Sequence, residues 1–184
     1  MSDSPKSALT AETIRAALEM VSAELGQSGL TGEVCLFGGT VMVLAFAARV
    51  STKDVDAIFR PAPIIREIAA RVGAHLGLDD DWLNDGVKGF IVSEPPLTTE
   101  GLPQFPNLRV TMPAAEYLLA MKCMAGRTGA EGVSDLPDIK FLIERLGLLS
   151  AQQALDVVAL YYGKSGIPVK TQYLVEGLFE EGAK

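Results

Sequence analysis

Phe37-Gly38-Gly39-Thr40, followed by Ser51-Thr52-Lys53-Asp54-Val55-Asp56-Ala57-Ile58-Phe59, is the stretch that decides how this chain is read. The apolar run Val34-Cys35-Leu36-Phe37 reads as a strand that stops at two glycines. An apolar, helix-like segment over 40–48 follows. The next strand carries Asp54 and Asp56. Side chains two apart on a strand point the same way, so these aspartates share one face and Val55, Ala57 and Phe59 share the other. Neighbouring carboxylates repel one another unless a cation sits between them. Carboxylate oxygens suit Mg²⁺, which binds through one or two carboxylates together with substrate phosphates. Glycines let backbone approach a phosphate, and the free N–H groups of a helix start can receive it. Thr40 would add a hydroxyl there. The glycines alone are equally explained by a tight turn against a sheet; beside Asp54 and Asp56 they point to nucleotide chemistry.

Composition narrows the rest. With 184 residues and 48% of them apolar, the chain can bury a sizeable core as one domain, or as one domain with a helical appendage. A net charge of −7 argues against broad attraction to nucleic acid, so an RNA substrate would need a local basic patch. Cys35 and Cys123 lie in apolar contexts without metal-ligand spacing and read as buried free thiols in a reducing cytoplasm. The segment 1–10 is polar and does not read as a signal peptide, and residues 1–9 read as a loose tail. No apolar run is long enough to span a bilayer, so no membrane partner is expected.

Along the chain, Thr10 reads as the cap of a helix carrying Ile14, Leu18, Val21 and Leu25, with Gly26 at its end. Arg49 and Lys53 flank the second strand and could touch phosphates or stand in solvent. Ile64, Ile68, Val72 and Leu76 mark a helix, with His75, the only histidine, as a surface or capping residue. Asp79-Asp80-Asp81-Trp82 reads as an acidic turn starting a short helix. Asn84 or Asp85 could line a site, or this turn could simply be solvated. Phe90-Ile91-Val92 and Leu108–Met112 are further strand candidates, separated by a long Pro- and Gly-rich loop.

Pro113 suits the start of a helix with a stripe of Leu118, Met121 and Ala125. Lys122 lies beside that stripe, and a partly covered ammonium needs an anion, either a nucleotide triphosphate or an aspartate. Arg127 could pair with phosphate or with Asp135. A Gly-rich loop over 128–133 leads to Ser134 as an N-cap, then to a helix with Leu136, Ile139, Ile143 and Leu146 inward and Gly147 at its end. Asp135 and Asp138 lie near one face of it and suit its dipole. Ser150 caps a further helix, and Thr171 starts the last one.

Gly38-Gly39-Thr40, the block from Arg49 through Asp54-Val55-Asp56, Trp82-Leu83-Asn84-Asp85, and Lys122, Arg127 and Asp135-Leu136-Pro137-Asp138 together resemble the nucleotidyltransferase superfamily, the polymerase-beta-like fold. More narrowly they resemble a bacterial branch of small stand-alone enzymes related to AbiEii-type toxins. The likeness spans about residues 33–147. It implies an α+β fold: a small mixed or antiparallel sheet of four to five strands flanked by helices, with a helical C-terminal part. The corresponding division is a core over 1–112 and a helical part over 113–184, or one continuous domain. It further implies Mg²⁺ or Mn²⁺ on Asp54 and Asp56, and a nucleoside triphosphate near Gly38, Gly39, Thr40, Arg49, Lys53, Asp85, Arg127 and Asp135. Lys122 would act on the nucleotide, with Asp138 as its partner.

Transfer of a nucleoside monophosphate to a hydroxyl on a protein or a tRNA end is the implied reaction. A toxin–antitoxin or phage-defence setting, a cognate toxin or antitoxin, and a homodimer are the implied context. The superfamily usually places a third carboxylate on a later strand, and Leu108–Met112 offers none. That role could move to Asp85, Asp135 or Asp138, or the metal could be held by two carboxylates with phosphate and water. The remaining alternative is an inert nucleotide-binding or antitoxin module of the same fold.

Overall fold

The computed structural model describes residues 8–128 and 134–181. The chain forms an α+β fold in two compact units. The first comprises Met1–Gly89 and Leu97–Met112, the second Phe90–Pro96 and Pro113–Lys184.

The first unit is built on a mixed sheet of β2 (Gly32–Leu36), β4 (Val55–Arg60), β5 (Leu83–Asn84), β6 (Leu97–Thr98) and β7 (Leu108–Pro113), in the order β5-β4-β2-β7-β6. β2 runs antiparallel to β4, pairing Leu36 with Ala57, and parallel to β7. β5 runs parallel to β4 and sets Asn84 opposite Asp56. Burial alternates along β4: Val55, Ala57 and Phe59 are buried, whereas Asp56 and Ile58 are half-buried. The period of two therefore turns one side of the sheet to the core and leaves the aspartate side partly open.

Helices α1 (Ala11–Gln27) and α3 (Ala62–Leu76) pack on each other and cover the core side. Ile14, Leu18, Val21 and Leu25 are all buried, as their helical spacing dictates. Thr10 caps α1, its Oγ1 accepting from the Thr13 N–H. On α3 the buried stripe is Ile65, Ile68, Ala69 and Val72, with Ile64 half-buried. Salt bridges from Arg71 to Glu24 and Glu67 run along the outer rim of the pair.

Several local expectations differ from what forms. Leu9–Thr10 is a short strand, β1, paired with β3 (Ser51–Thr52), and Leu9 is buried rather than part of a loose tail. The expected tail over 1–7 lies outside the described residues, as do 129–133 of the Gly-rich loop. Helix α2 covers only Gly38–Leu44. The acidic turn starts no helix: Trp82 leads into strand β5, because its indole anchors elsewhere, its Nε1 donating to the Ala69 carbonyl at 2.9 Å. Phe90-Ile91-Val92 is not a strand; a 3-10 turn over Gly86–Phe90 ends there, and Phe90 and Val92 are exposed without a sheet neighbour.

The second unit is helical: α4 (Ala115–Ala125), α5 (Leu136–Arg145), α6 (Ala151–Tyr162) and α7 (Val169–Glu181). α4 touches the other three helices, so its buried face is wider than the expected stripe and holds Tyr117, Leu118, Leu119, Ala120, Lys122 and Cys123. Met121 is only half-buried and Ala125 is exposed. Tyr117 meets Tyr161 edge-on at 4.9 Å, and its hydroxyl donates to the Ser93 carbonyl, which ties 90–96 to this unit. Among the described residues no helix is long and apolar enough to cross a membrane.

Candidate functional site

β2 delivers the chain to Phe37, and Gly38 turns it into α2 at φ +59, a left-handed conformation that costs other residues about 1–2 kcal/mol. Space makes a second demand for glycine. A Cβ on Gly38 would sit 3.0 Å from the Oδ2 of Asp56. The Phe37 N–H donates to the Asp56 carbonyl at 2.9 Å, and Thr40, fully buried, donates its hydroxyl to the Asp54 carbonyl at 3.1 Å. The glycine turn and the Asp-x-Asp segment thus form one corner. α2 is only seven residues long, so the donors at this turn are individual N–H groups rather than a strong helix dipole.

Asp54 precedes β4 and is half-buried, as is Asp56. The Nδ2 of Asn84 donates to Asp54 Oδ2 at 3.3 Å. Thr52 closes the other side: a Cβ on Gly39 would lie 2.5 Å from Thr52 Oγ1 and 3.8 Å from an Arg49 guanidinium nitrogen. Arg49 is therefore at the turn, while Lys53 is exposed in the bend before Asp54. Asp85 is occupied elsewhere, by Arg66 and Lys88. The Lys88 hydrogen bond outweighs a small burial effect and, with the charges of Lys88 and Arg66, holds the Asp85 carboxyl below its ordinary range.

The donor set suits a hard divalent cation held partly by its substrate. Among the described residues no three His, Cys, Asp or Glu side chains gather as a metal cage. Two carboxylates, one of them oriented by an amide and the other set against a residue without a Cβ, match the one or two protein carboxylates that Mg²⁺ takes beside phosphate and water. β7 contributes no carboxylate, its polar side chains being Arg109 and Thr111.

The remaining expected residues gather within the second unit. Lys122 Nζ lies 2.8 Å from Asp135 Oδ1 and 2.8 Å from Asp138 Oδ2, and all three side chains are at most 8% exposed. Arg127 reaches Asp135 through both its guanidinium and its backbone N–H. Burial alone would raise the Asp135 carboxyl; the hydrogen bonds and charges of Arg127 and Lys122 outweigh it and hold that carboxyl at about 2. Ser134 accepts from the Leu136 N–H, and Asp135 occupies the N-cap position, which aims its carboxylate back at Lys122. Lys122 donates a hydrogen bond to Asp135 Oδ1, whereas its contact with Asp138 Oδ2 is an ion pair without hydrogen-bond alignment.

Sequence reasoning held Asn84 and Asp85 as alternatives; only Asn84 reaches an aspartate of the corner. Thr52 was not singled out, and the one signal that could have found it is its place two residues before Asp54. Comparison with protein-family models, with curated proteins and with solved structures gives no match to this chain.

Proposed function

We propose that this chain is a metal-dependent nucleotidyltransferase that moves a nucleoside monophosphate from a nucleoside triphosphate to a hydroxyl acceptor. One observation carries the reading: Gly38 lies against the Asp56 carboxylate and Thr40 donates to the Asp54 carbonyl, so the glycine turn at the start of α2 adjoins the two aspartates. Asp54 and Asp56 would hold Mg²⁺ or Mn²⁺, which would neutralise charge on the triphosphate. Gly38, Gly39 and Thr40 would line the phosphates, with Arg49 and Lys53 as nearby cations. The acceptor oxygen would attack the α-phosphorus, the bond to the β-phosphate would break, and pyrophosphate would leave. Such chemistry is chiefly positioning and charge stabilisation.

The resemblance assigns Lys122 to the nucleotide and Asp138 to Lys122. Within its own unit Lys122 donates to Asp135 and lies 2.8 Å from Asp138 Oδ2. The resemblance also supplies the acceptor class, a protein or a tRNA end, and the setting of toxin–antitoxin pairing or phage defence. The net charge of −7 favours a protein acceptor.

A second reading is an inert nucleotide-binding or antitoxin module of this fold. It is favoured by the lack of a carboxylate on β7. The two separate on incubation with α-labelled nucleoside triphosphates and Mg²⁺. Label that passes to the chain or to supplied proteins and tRNA, and is lost in Asp54→Ala and Asp56→Ala, supports the enzyme. Nucleotide binding without transfer supports the module.

A further inference from the structure

We infer that Asn84 tunes the metal preference of the Asp54–Asp56 corner, by engaging one oxygen of Asp54 and so favouring the other as the cation ligand. The inference rests on the metal-dependent reading above and adds a selectivity to it.

The amide of Asn84 is fixed in direction. The Gly86 N–H donates to its Oδ1 at 3.1 Å, which leaves Nδ2 to donate to Asp54 Oδ2. Its backbone is fixed as well. β5 pairs with β4, and the Val55 N–H donates to the Trp82 carbonyl at 2.6 Å. Trp82 is itself locked, buried against α3 beside Gly73, where a Cβ would lie 2.9 Å from its ring. The backbone that carries Asn84 is therefore held in register with β4. Asp54 Oδ1 has no hydrogen-bond or ion-pair partner among the described residues.

A hydrogen bond on one carboxylate oxygen competes with metal there and favours binding through the other. Mg²⁺ and Mn²⁺ accept such ligands in an octahedral shell, whereas Ca²⁺ gathers more oxygens and commonly takes both from one carboxylate. Asn84 thus acts as a positioning residue that disfavours Ca²⁺. Ligand-orienting hydrogen bonds of this kind typically change metal affinity by about 10–100-fold.

The test is direct metal binding to the full chain without nucleotide: Mn²⁺ titration read by electron paramagnetic resonance, and Ca²⁺ read by its competition with Mn²⁺. The wild type is compared with Asn84→Ala, Asn84→Ser and Asp54→Ala. Asn84→Ala is expected to weaken Mn²⁺ about tenfold while Ca²⁺ binding holds or tightens, lowering the Mn²⁺/Ca²⁺ preference at least tenfold. Asn84→Ser, polar but too short to reach Asp54, should behave alike, and it carries the comparison should the alanine variant unfold. A preference unchanged in both variants, with Mn²⁺ binding lost in Asp54→Ala, overturns the role of Asn84 alone. Mn²⁺ binding that survives Asp54→Ala, or is absent from the wild type, overturns the metal reading and this inference with it.

Discussion

Replacing Lys122 with methionine isolates the energetics of the buried ionic cluster. Methionine keeps the apolar stem of the lysine, so the change is chiefly the loss of a charge rather than the opening of a cavity. In the wild type the ammonium lies 2.8 Å from two carboxylates that are no more than 2% exposed. Asp135 keeps Arg127 in the variant, whereas Asp138 loses its ion pair to Lys122. Removing one partner of a buried pair costs about 3–5 kcal/mol, because a charge is left in a poorly solvated place. For a chain of this size that is a fall in Tm of roughly 10 °C. Pairing the change with Asp138→Leu should restore at least half of the loss, since an apolar pair can replace a buried ion pair at little cost. Calorimetry of the single and double variants reads both effects. A Lys122→Met protein melting within about 2 °C of wild type, or a double variant less stable than the single, would show that the buried ion pair carries no such stability.

Three other outcomes follow from the same geometry. The carboxyl of Asp135 falls from its ordinary 3.8 to about 2, so its charged form stabilises the fold by about 2 kcal/mol at neutral pH. Because the folded value is the lower one, that contribution is fully present above about pH 4 and is lost as pH falls toward 2; denaturant melts of wild type and Asp135→Asn should converge over that window. Gly38→Ala should lose about 1–2 kcal/mol from its left-handed backbone and also displace the Asp56 carboxylate, cutting Mn²⁺ affinity at least tenfold. Gly77→Ala is its control: it has a similar φ of +67 but open space around the new Cβ, so it should match the stability loss and keep Mn²⁺ affinity. Burial pushes the Cys35 thiol up to about 11, a Thr111 hydrogen bond opposing it in part, and burial with the Asp135 charge pushes the Cys123 thiol up to about 12. Cys123 is buried but Cys35, expected to be buried too, is only half-buried, so native protein at pH 8 should be labelled by iodoacetamide slowly at Cys35 and at Cys123 only on unfolding; rapid native labelling of Cys123 would contradict its burial.

Features with a regular period were legible in the sequence. The spacing of Ile14, Leu18, Val21 and Leu25 locates α1, and the alternation of Val55, Ala57 and Phe59 locates β4 and the outward side of Asp56. The two-residue strands β1, β3, β5 and β6 were not legible, because pairs that short carry no period and form only where a partner strand offers its edge. Phe90-Ile91-Val92 shows the converse: β-branched and aromatic residues favour a strand only where there is a surface to pack on. In the candidate site, the aspartate pair and the glycine turn could be read from composition and spacing. The choice of Asn84 over Asp85 could not, since it depends on the register between β4 and β5 and on Arg66 and Lys88 drawing Asp85 away. For Lys122 the chain left an aspartate or a phosphate as its anion, and folding α5 beside α4 supplies two aspartates.

The most direct measurement is a crystal of the full chain soaked with Mn²⁺ and a non-hydrolysable nucleoside triphosphate, with manganese located by anomalous scattering. One manganese is expected, bonded to a carboxylate oxygen of each of Asp54 and Asp56, with the triphosphate lying along Gly38, Gly39 and Thr40. Manganese and nucleotide bound away from these aspartates, or the two carboxylates turned from a common ion, would contradict it.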